Sequence, residues 1–433
     1  MAAVAGGLRD RSVEAGDAVC WQLPNSVDAV LLYRACWRLG AIAAPIHHLA
    51  GAADVERIVG AVKPRVVIER PLPLGDSIDE AGAADDDRPA VVLFTSGSSG
   101  APKGVIHTGS RLAYKARLMA EVHGLTPDDA ILMPAPLAHI SGLLNGVTVP
   151  GVVPMKTVLM ARWDPSQALR LIEQERITFM IGPPTFFVSL MDAPGFSPRA
   201  VESLRLVSSG GAGVTPAFVA SASAALGCVV KRTYGSTEAP TITTSQPGDD
   251  PEKARTTDGR GTGSVEIRID QASGEVQARG PELFVGYLDP AQTAAAKTDD
   301  GWFRTGDIGR LDDGWLTITG RLKDIVIRGG ENIATAEIEG VLEAHPSVRQ
   351  AVAVGVPHER LGEQVVAFVS VAPGTLFDLD ECRRWFESQG VARFKTPERV
   401  VVVDELPLMA AGKPDRDALR RSITREPSGL DQR

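Results

Sequence analysis

The chain is short of cysteine, of long apolar runs and of positive charge, and each shortage removes a class of protein. Its four cysteines, Cys20, Cys36, Cys228 and Cys382, are scattered over 433 residues with no CxxC pair and no Cys/His ligand spacing. That sets aside a disulfide framework and a zinc site, and it suits a reducing compartment. No stretch approaches the roughly 18 apolar residues of a membrane span. The opening MAAVAGGLRDRSVEAGD lacks the apolar core of a signal peptide, so a cytoplasmic location is expected. A net charge of −9 counts against a general nucleic-acid binder. Internal repeats and low-complexity tracts are missing too. What remains, 44% apolar and 23% charged, is the composition of a globular protein. The length calls for two domains or more.

The stretch that organises the rest is Val91 to Thr108, VVLFTSGSSGAPKGVIHT. Val91–Phe94 reads as a buried strand. It stops at Thr95, Ser96, Gly97, Ser98, Ser99 and Gly100, and Lys103 follows. Glycines let the backbone turn close to a ligand, and successive N–H groups in such a turn form an anion site. The hydroxyls add donors, and Lys103 adds a compact cation suited to phosphate oxygens. The stretch therefore reads as a polyphosphate cradle. A flexible Gly/Ser linker would need neither the strand nor the lysine. The common P-loop is excluded, because Lys103 is followed by Gly104 and not by Ser or Thr.

Around this centre the chain alternates strands and helices. Strands are expected at Ala18–Gln22, Ala41–Pro45 and Val66–Ile68, with a helix Val27–Leu39 capped at Asn25-Ser26 and ended by Gly40. That alternation predicts a parallel α/β sheet. Residues 71–89 read as an acidic surface loop, and Ser110 as the cap of a helix reaching about His123. Further on come a helix Asp164–Glu175, a strand Ile177–Ile181, a helix opened by Pro183-Pro184-Thr185, and a strand Leu204–Val207. From Gly259 to Gly314 the texture changes to short strands with Gly and Asp turns (SVEIRID, GEVQARG, LFVGYL), which predicts a small antiparallel barrel. The GRGTG inside it has no following helix, so it is not a dinucleotide fingerprint. The end of the chain reads as a compact α+β unit: a helix from about Thr335, strands near Gln350–Gly355 and Gln364–Val371, a helix Leu379–Ser388 and a strand Arg399–Val403.

Several turns carry chemistry. Gly210, Gly211 and Ala212 follow a strand, at the edge where parallel α/β sheets bind ligands. A tight turn into the next helix is compatible with that reading. In VVKRTYGSTE, Tyr234 offers a flat face for a purine, Gly235 turns the chain, Thr237 can donate to a phosphate, and Glu238 is a hard oxygen ligand for Mg²⁺. Asp307, in GWFRTGDIG, is a turn former or a partner for ribose hydroxyls. Arg321 can reach a ribose or a phosphate, and Gly329-Gly330 lets a second ligand approach the backbone. Taken alone, His139 in PAPLAHISG reads as a hydrogen-bonded core or loop histidine, and Lys413 in AAGKPD as a solvated lysine.

Together these segments resemble the adenylate-forming enzymes: acyl-CoA synthetases, adenylation domains of peptide synthetases, and luciferases. The likeness runs from about residue 12 to 421, through PNSVDAVLLYRACWRLGAIAAP, the cradle, GGAG, YGSTE, FRTGD, GRLKDIVIRGGENIATAEIEG and the final GK, in that family's order. Against the family, this chain begins late, without the opening strands and helix that members carry. The resemblance implies an α/β fold: a large N-terminal AMP-binding domain of parallel α/β subdomains plus a small β-barrel, residues 1–321. A small α+β C-terminal domain, residues 322–433, follows on a hinge at Lys323.

It also implies roles. Gly210–Ala212, Tyr234 and Gly235 meet the adenine, and His139 and Gly211 wall the acyl pocket. Asp307 takes the ribose, Glu238 the metal, and Gly329-Gly330 lines a thiol channel. Lys413 bridges carboxylate and α-phosphate. The activity implied is ATP- and Mg²⁺-dependent ligation of a carboxylic acid to coenzyme A. Amino-acid-activating relatives carry an aspartate at the place of Ile140, so α-amino acids are not expected. Ile140, Leu143, Phe186 and Phe187 suggest an aliphatic or aromatic acid. A carrier-protein phosphopantetheine is the alternative acceptor, and a non-catalytic adenylate binder the alternative function. No oligomeric state follows.

Overall fold

The computed structural model describes the chain except residues 73, 79–86, 96–102, 329–330, 373, 410–411 and 426–433, and except the side chains of 332, 424 and 425. It is a mixed α/β protein with a large N-terminal and a smaller C-terminal domain.

The first sheet holds β1 (Ala18–Trp21), β2 (Ile42–Pro45), β3 (Val66–Ile68), β4 (Pro89–Thr95) and β5 (Lys103–Thr108). β1 pairs parallel with β2 and β3, and β4 parallel with β2. β5 pairs antiparallel with β4, Thr95 opposite Lys103. The helix Val27–Leu39 begins where the Ser26 side chain accepts from the Ala29 N–H, which satisfies one of the free donors of its first turn. The next cap differs from expectation. The helix Gly109–Val122 is capped by Thr108, whose hydroxyl accepts from Arg111 N–H, and Ser110 lies inside the first turn. Pro89 opens β4, so the acidic loop ends one residue earlier than read.

The second sheet has a parallel half of β6 (Ala130–Met133), β7 (Lys156–Leu159), β8 (Phe179–Gly182), β9 (Leu206–Gly210) and β10 (Val229–Tyr234). β6, β8 and β9 are almost wholly buried, as strands of a sheet covered on both faces should be. Beyond β10 the pairing turns antiparallel through β11 (Thr243–Thr244), β12 (Arg260–Gly261), β13 (Glu266–Ile269), β14 (Glu275–Arg279), β16 (Phe303–Asp312) and β17 (Trp315–Arg321). Of the strands in Gly259–Gly314, the stretch expected as a small barrel, β12, β13, β14 and β16 lie on this extension of the second sheet past β10.

One of them leaves that group. β15 (Gly286–Tyr287), read from LFVGYL as part of the barrel, pairs with β5 on the first sheet, Tyr287 opposite Val105. Phe284 and Tyr287 pack with Val105, Ile242, Ala278 and Phe303 in one apolar cluster, and that burial draws the segment to the cradle's outer edge.

The C-terminal domain is built on a third sheet of β18 (Ile325–Arg328), β19 (Glu331–Ala334), β20 (Val348–His358), β21 (Gly362–Val371) and β22 (Arg399–Val402), with helices Thr335–Glu343, Leu379–Ser388 and Arg416–Arg425. Its core gathers Val326, Ile338, Leu342, Val365, Val369, Cys382 and Phe386. No helix among the described residues is long and apolar enough to cross a membrane.

Candidate active site

Several of the expected residues stand at the carboxyl ends of parallel strands. Gly210 ends β9 and Tyr234 ends β10, neighbours in register through Gly210 and Thr233. Gly211 has φ of +79°, a conformation costly for any residue with a Cβ. A Cβ there would also lie 3.2 Å from Cε and 3.6 Å from Nζ of Lys413. The C-terminal lysine thus enters the N-terminal cleft directly over the glycine turn. Ala212 and Gly235 occupy the turns beside it.

Four charged side chains surround Lys413. Burial pushes its ammonium down to about 8; Arg321 and Lys323 act in the same direction, while Asp307 and Glu238 oppose it. Asp307 is buried at 4% exposure. One carboxylate oxygen accepts from Tyr234 Oη at 2.8 Å, and the other pairs with Arg321 Nε at 2.8 Å. Burial and the Asp307 charge hold the Tyr234 phenol well above its ordinary range. β16 and β17 pair Asp307 opposite Arg321, so the pair is set by backbone register. Thr237 and Glu238 follow the Tyr234 turn. Glu238 Oε1 accepts from Tyr287 Oη at 2.7 Å, and its second oxygen carries no hydrogen bond among the described residues. Lys103 Nζ stands over the Tyr287 ring at 5.3 Å from its centre. Tyr287 therefore lies between the cradle lysine and the carboxylate.

The remaining expectations divide. Thr95 ends β4 opposite Lys103. Lys323 is exposed in the short turn Leu322–Asp324, and its neighbour Asp324 is buried, facing Arg420 at 3.4 Å and Arg416 at 4.0 Å. The residues Ser96, Gly97, Ser98, Ser99 and Gly100, and the pair Gly329 and Gly330, lie outside the described residues.

His139 lies close enough to feel Lys413. Burial, then His47, Lys413 and His48, push its imidazole down to about 3, so it is neutral at working pH. The His47 ring lies tilted against it at 5.2 Å and stacks on His48 at 4.8 Å. Leu143 and Phe187 are fully buried, each in a different apolar core. Phe186, also buried, stacks on Trp163 at 4.5 Å and lies beside Gly412, the residue before Lys413.

Sequence reasoning missed three supports. Thr185 Oγ1 donates to Gly412 O at 2.5 Å and holds the residue before Lys413. His107 reaches Thr237, and Tyr287 reaches Glu238. Each spans so many residues that no local pattern announces it. A cavity of about 540 Å³ at the other, amino end of β6–β8 is lined by Asp129, Lys156, Thr178 and Glu202 and shares none of these residues.

The arrangement fits a nucleotide. It offers a glycine turn beside a Tyr–Asp–Arg set whose carboxylate is buried, with two lysines facing two carboxylates. No group of three or more His, Cys, Asp or Glu among the described residues forms a metal cage. A single available carboxylate suits Mg²⁺, which is commonly shared with substrate phosphates and water.

Comparison with known proteins points the same way. The model of the AMP-binding enzyme family matches residues 1–80 and 73–288, and that of the AMP-binding enzyme C-terminal domain matches 337–413. A medium-chain fatty-acid–CoA ligase of Escherichia coli (strain K12) is 33% identical over 469 residues, covering 96% of this chain and 83% of that protein. A feruloyl-CoA synthase of Amycolatopsis sp is 32% identical over 457 residues, covering 97% and 92%. Among solved structures, ATP-bound MatB from Rhodopseudomonas palustris superposes with a TM-score of 0.89 at 28% identity, covering 98% of this chain and 92% of that one.

Proposed function

The chain belongs to the AMP-binding enzymes, and on that premise we propose that it activates an aliphatic or aromatic carboxylic acid with ATP and passes the acyl group to coenzyme A. It is an acid–thiol ligase of the AMP-forming kind. The observation that carries the reading is the seat of Lys413, brought by the C-terminal domain against Gly211 and among Asp307, Glu238 and Arg321.

In the first half-reaction a carboxylate oxygen attacks the α-phosphorus of ATP. The new P–O bond forms as the bond to the β-phosphate bridge breaks, and pyrophosphate leaves. Anion attacks anion, so the task is charge neutralisation and alignment rather than proton transfer. The acid is already ionised at neutral pH, so His139 serves as a neutral wall and not as a base. Lys413 would span the carboxylate and the α-phosphate. Lys103, with Thr95–Gly100, would hold the outer phosphates, and Thr237 would donate to the α-phosphate. Tyr234, Gly235 and the Gly210–Ala212 turn would take the adenine, and Asp307 with Arg321 the ribose. Glu238 would hold Mg²⁺, which supplies positive charge to the phosphate oxygens.

In the second half-reaction the thiol sulfur attacks the acyl carbon and loses its proton, and AMP leaves with its electron pair. The same cleft cannot hold Lys413 and admit the thiol at once. The C-terminal domain, 322–433, would therefore turn about Lys323 away from the N-terminal domain, 1–321, and bring Gly329-Gly330 to the channel.

The test is Mg²⁺-dependent ATP–pyrophosphate exchange over a panel of short, medium, long and aromatic acids, with thioester read separately. Exchange with one acid class, and thioester only with coenzyme A, is the expected result. Thioester only on a carrier-protein phosphopantetheine would replace the acceptor. ATP binding without exchange on any acid would make the chain an adenylate binder. Lys413→Ala should abolish exchange while ATP still binds, and unchanged exchange would refute the lysine's role.

A further inference from the structure

His107 lies on β5, the strand that begins at Lys103, and is fully buried at 0% exposure. Its Nε2 is 2.8 Å from the carbonyl oxygen of Thr237. A carbonyl only accepts, so Nε2 carries the proton. Burial pushes the imidazole down to about 4 against the opposing pull of that carbonyl, with Arg111 lowering it further. The ring is therefore neutral at working pH and Nδ1 is unprotonated. Nδ1 is buried and has no partner among the described residues. The side chain is a donor of one tautomer, aimed at one carbonyl.

That carbonyl belongs to the residue before Glu238. The Glu238 backbone is held too: its carbonyl oxygen accepts from Phe284 N–H at 2.7 Å, and its carboxylate accepts from Tyr287 Oη at 2.7 Å. The segment that supplies both bonds is laced to β5, with Val285 N–H donating to Ile106 O at 2.9 Å and Leu288 N–H to Gly104 O at 2.8 Å. Every one of these restraints leads back to the strand that starts with the cradle lysine. β4 and β5, which flank the cradle segment, belong to the first sheet, and Thr237–Glu238 follow β10 of the second, so their separation depends on such cross-ties.

We propose that His107 is a positioning residue: through its Nε2–H bond to Thr237 it fixes the Thr237–Glu238 pair at a set distance from the Lys103 cradle, so that Mg²⁺ and the ATP phosphates meet both at once. This rests on the reading of Glu238 as the metal carboxylate and Lys103 as the phosphate lysine. His107 touches neither substrate nor metal. It acts as an outer-shell partner does, by holding the backbone from which a ligand projects.

The experiment measures ATP–pyrophosphate exchange against Mg²⁺ concentration, with Tm, for the native enzyme, His107→Leu, His107→Gln and Glu238→Gln. The Gln amide nitrogen can take the place of Nε2 and still donate. His107→Leu should raise the half-saturating Mg²⁺ concentration about 10- to 100-fold, the range usual for losing an outer-shell partner. His107→Gln should stay close to native. If Leu and Gln shift the Mg²⁺ requirement equally, or if the loss is confined to Tm, the proposal is overturned. Should His107→Leu not fold, His107→Asn takes its place. Its shorter amide cannot reach Thr237, so Asn impaired with Gln intact supports the proposal, and equal behaviour overturns it. Glu238→Gln separates the premise. No change in its Mg²⁺ dependence removes the metal reading and this inference with it. A shift in Glu238→Gln without one in His107→Leu removes this inference alone.

Discussion

Replacing Thr185 by valine removes one hydroxyl and keeps the shape. Thr185 is 7% exposed, in the first turn of the helix Pro184–Met191, and its hydroxyl donates to Gly412 O at 2.5 Å. Gly412 is itself buried, with φ of +77°. A Cβ there would fall 2.5 Å from Phe186 Cε1. The Lys413 loop is closed by Met409 N–H to Lys413 O at 2.7 Å and Gly412 N–H to Met409 O at 2.8 Å. The Thr185 bond ties that closed loop to the N-terminal domain.

Valine would leave the Gly412 carbonyl buried without that donor, at a cost of about 1–3 kcal/mol. The cost falls only on the conformation in which Lys413 is seated. It should shift the balance from seated to withdrawn by roughly 5- to 150-fold, at about 1.4 kcal/mol per tenfold. The assay compares ATP–pyrophosphate exchange, which needs the seated lysine, with thioester formation from synthetic acyl-AMP and coenzyme A, which needs it withdrawn. Exchange should fall within that range while the second half-reaction is unchanged or faster. Equal loss in both, or exchange at the native rate, would refute the argument that this bond seats Lys413.

Two pH effects follow from the same interface. The Lys413 ammonium is held down to about 8, chiefly by burial, and its charged form is lost as pH rises through that value. The alkaline limb of kcat/KM for ATP, which reports the free enzyme, should fall there in the native protein and flatten in Lys413→Arg, whose guanidinium stays charged; coincident limbs would show that another group titrates. Glu343 ends the helix Thr335–Glu343, and burial pushes its carboxyl up to about 8; Glu339 adds to this, while bonds from Ala351 N–H and the Thr215 hydroxyl oppose it. With the folded value above the unfolded one, its contribution to stability is intact below about pH 4.5 and lost progressively up to about pH 8. The Tm advantage of Glu343→Gln over native should therefore grow between pH 5 and 8 and then level off. A constant difference across that window would dismiss the burial argument.

Much of the site was legible because the chemistry is carried by short segments. A strand-then-glycine pattern marks the Gly210–Gly211 turn, which lies at the carboxyl end of β9, and Lys103 opens β5 opposite Thr95, the carboxyl end of β4. Tyr234, Asp307 and Arg321 were named singly; the structure joins them into one hydrogen-bonded set through the register of β16 and β17. Other features were hidden. LFVGYL has the alternation of a barrel strand, yet β15 pairs with β5. Its apolar residues could have been buried against either sheet. Apolar character does not say which apolar surface a residue will meet: Leu143 and Phe187 are buried in two separate cores.

The sequence alone determined what repeats locally: the cap at Ser26, the parallel strands and the order of the ligand turns. These depend on periods of two or 3.6 residues and on the backbone freedom of particular side chains. Only the tertiary structure decided that Lys413 lies over Gly211, that Thr185 holds Gly412, and that β5 carries both the cradle lysine and the histidine that grips Thr237. Such contacts join residues far apart in the chain. They are chosen by which apolar faces and unpaired polar groups find partners when the whole chain closes, a competition no local pattern records.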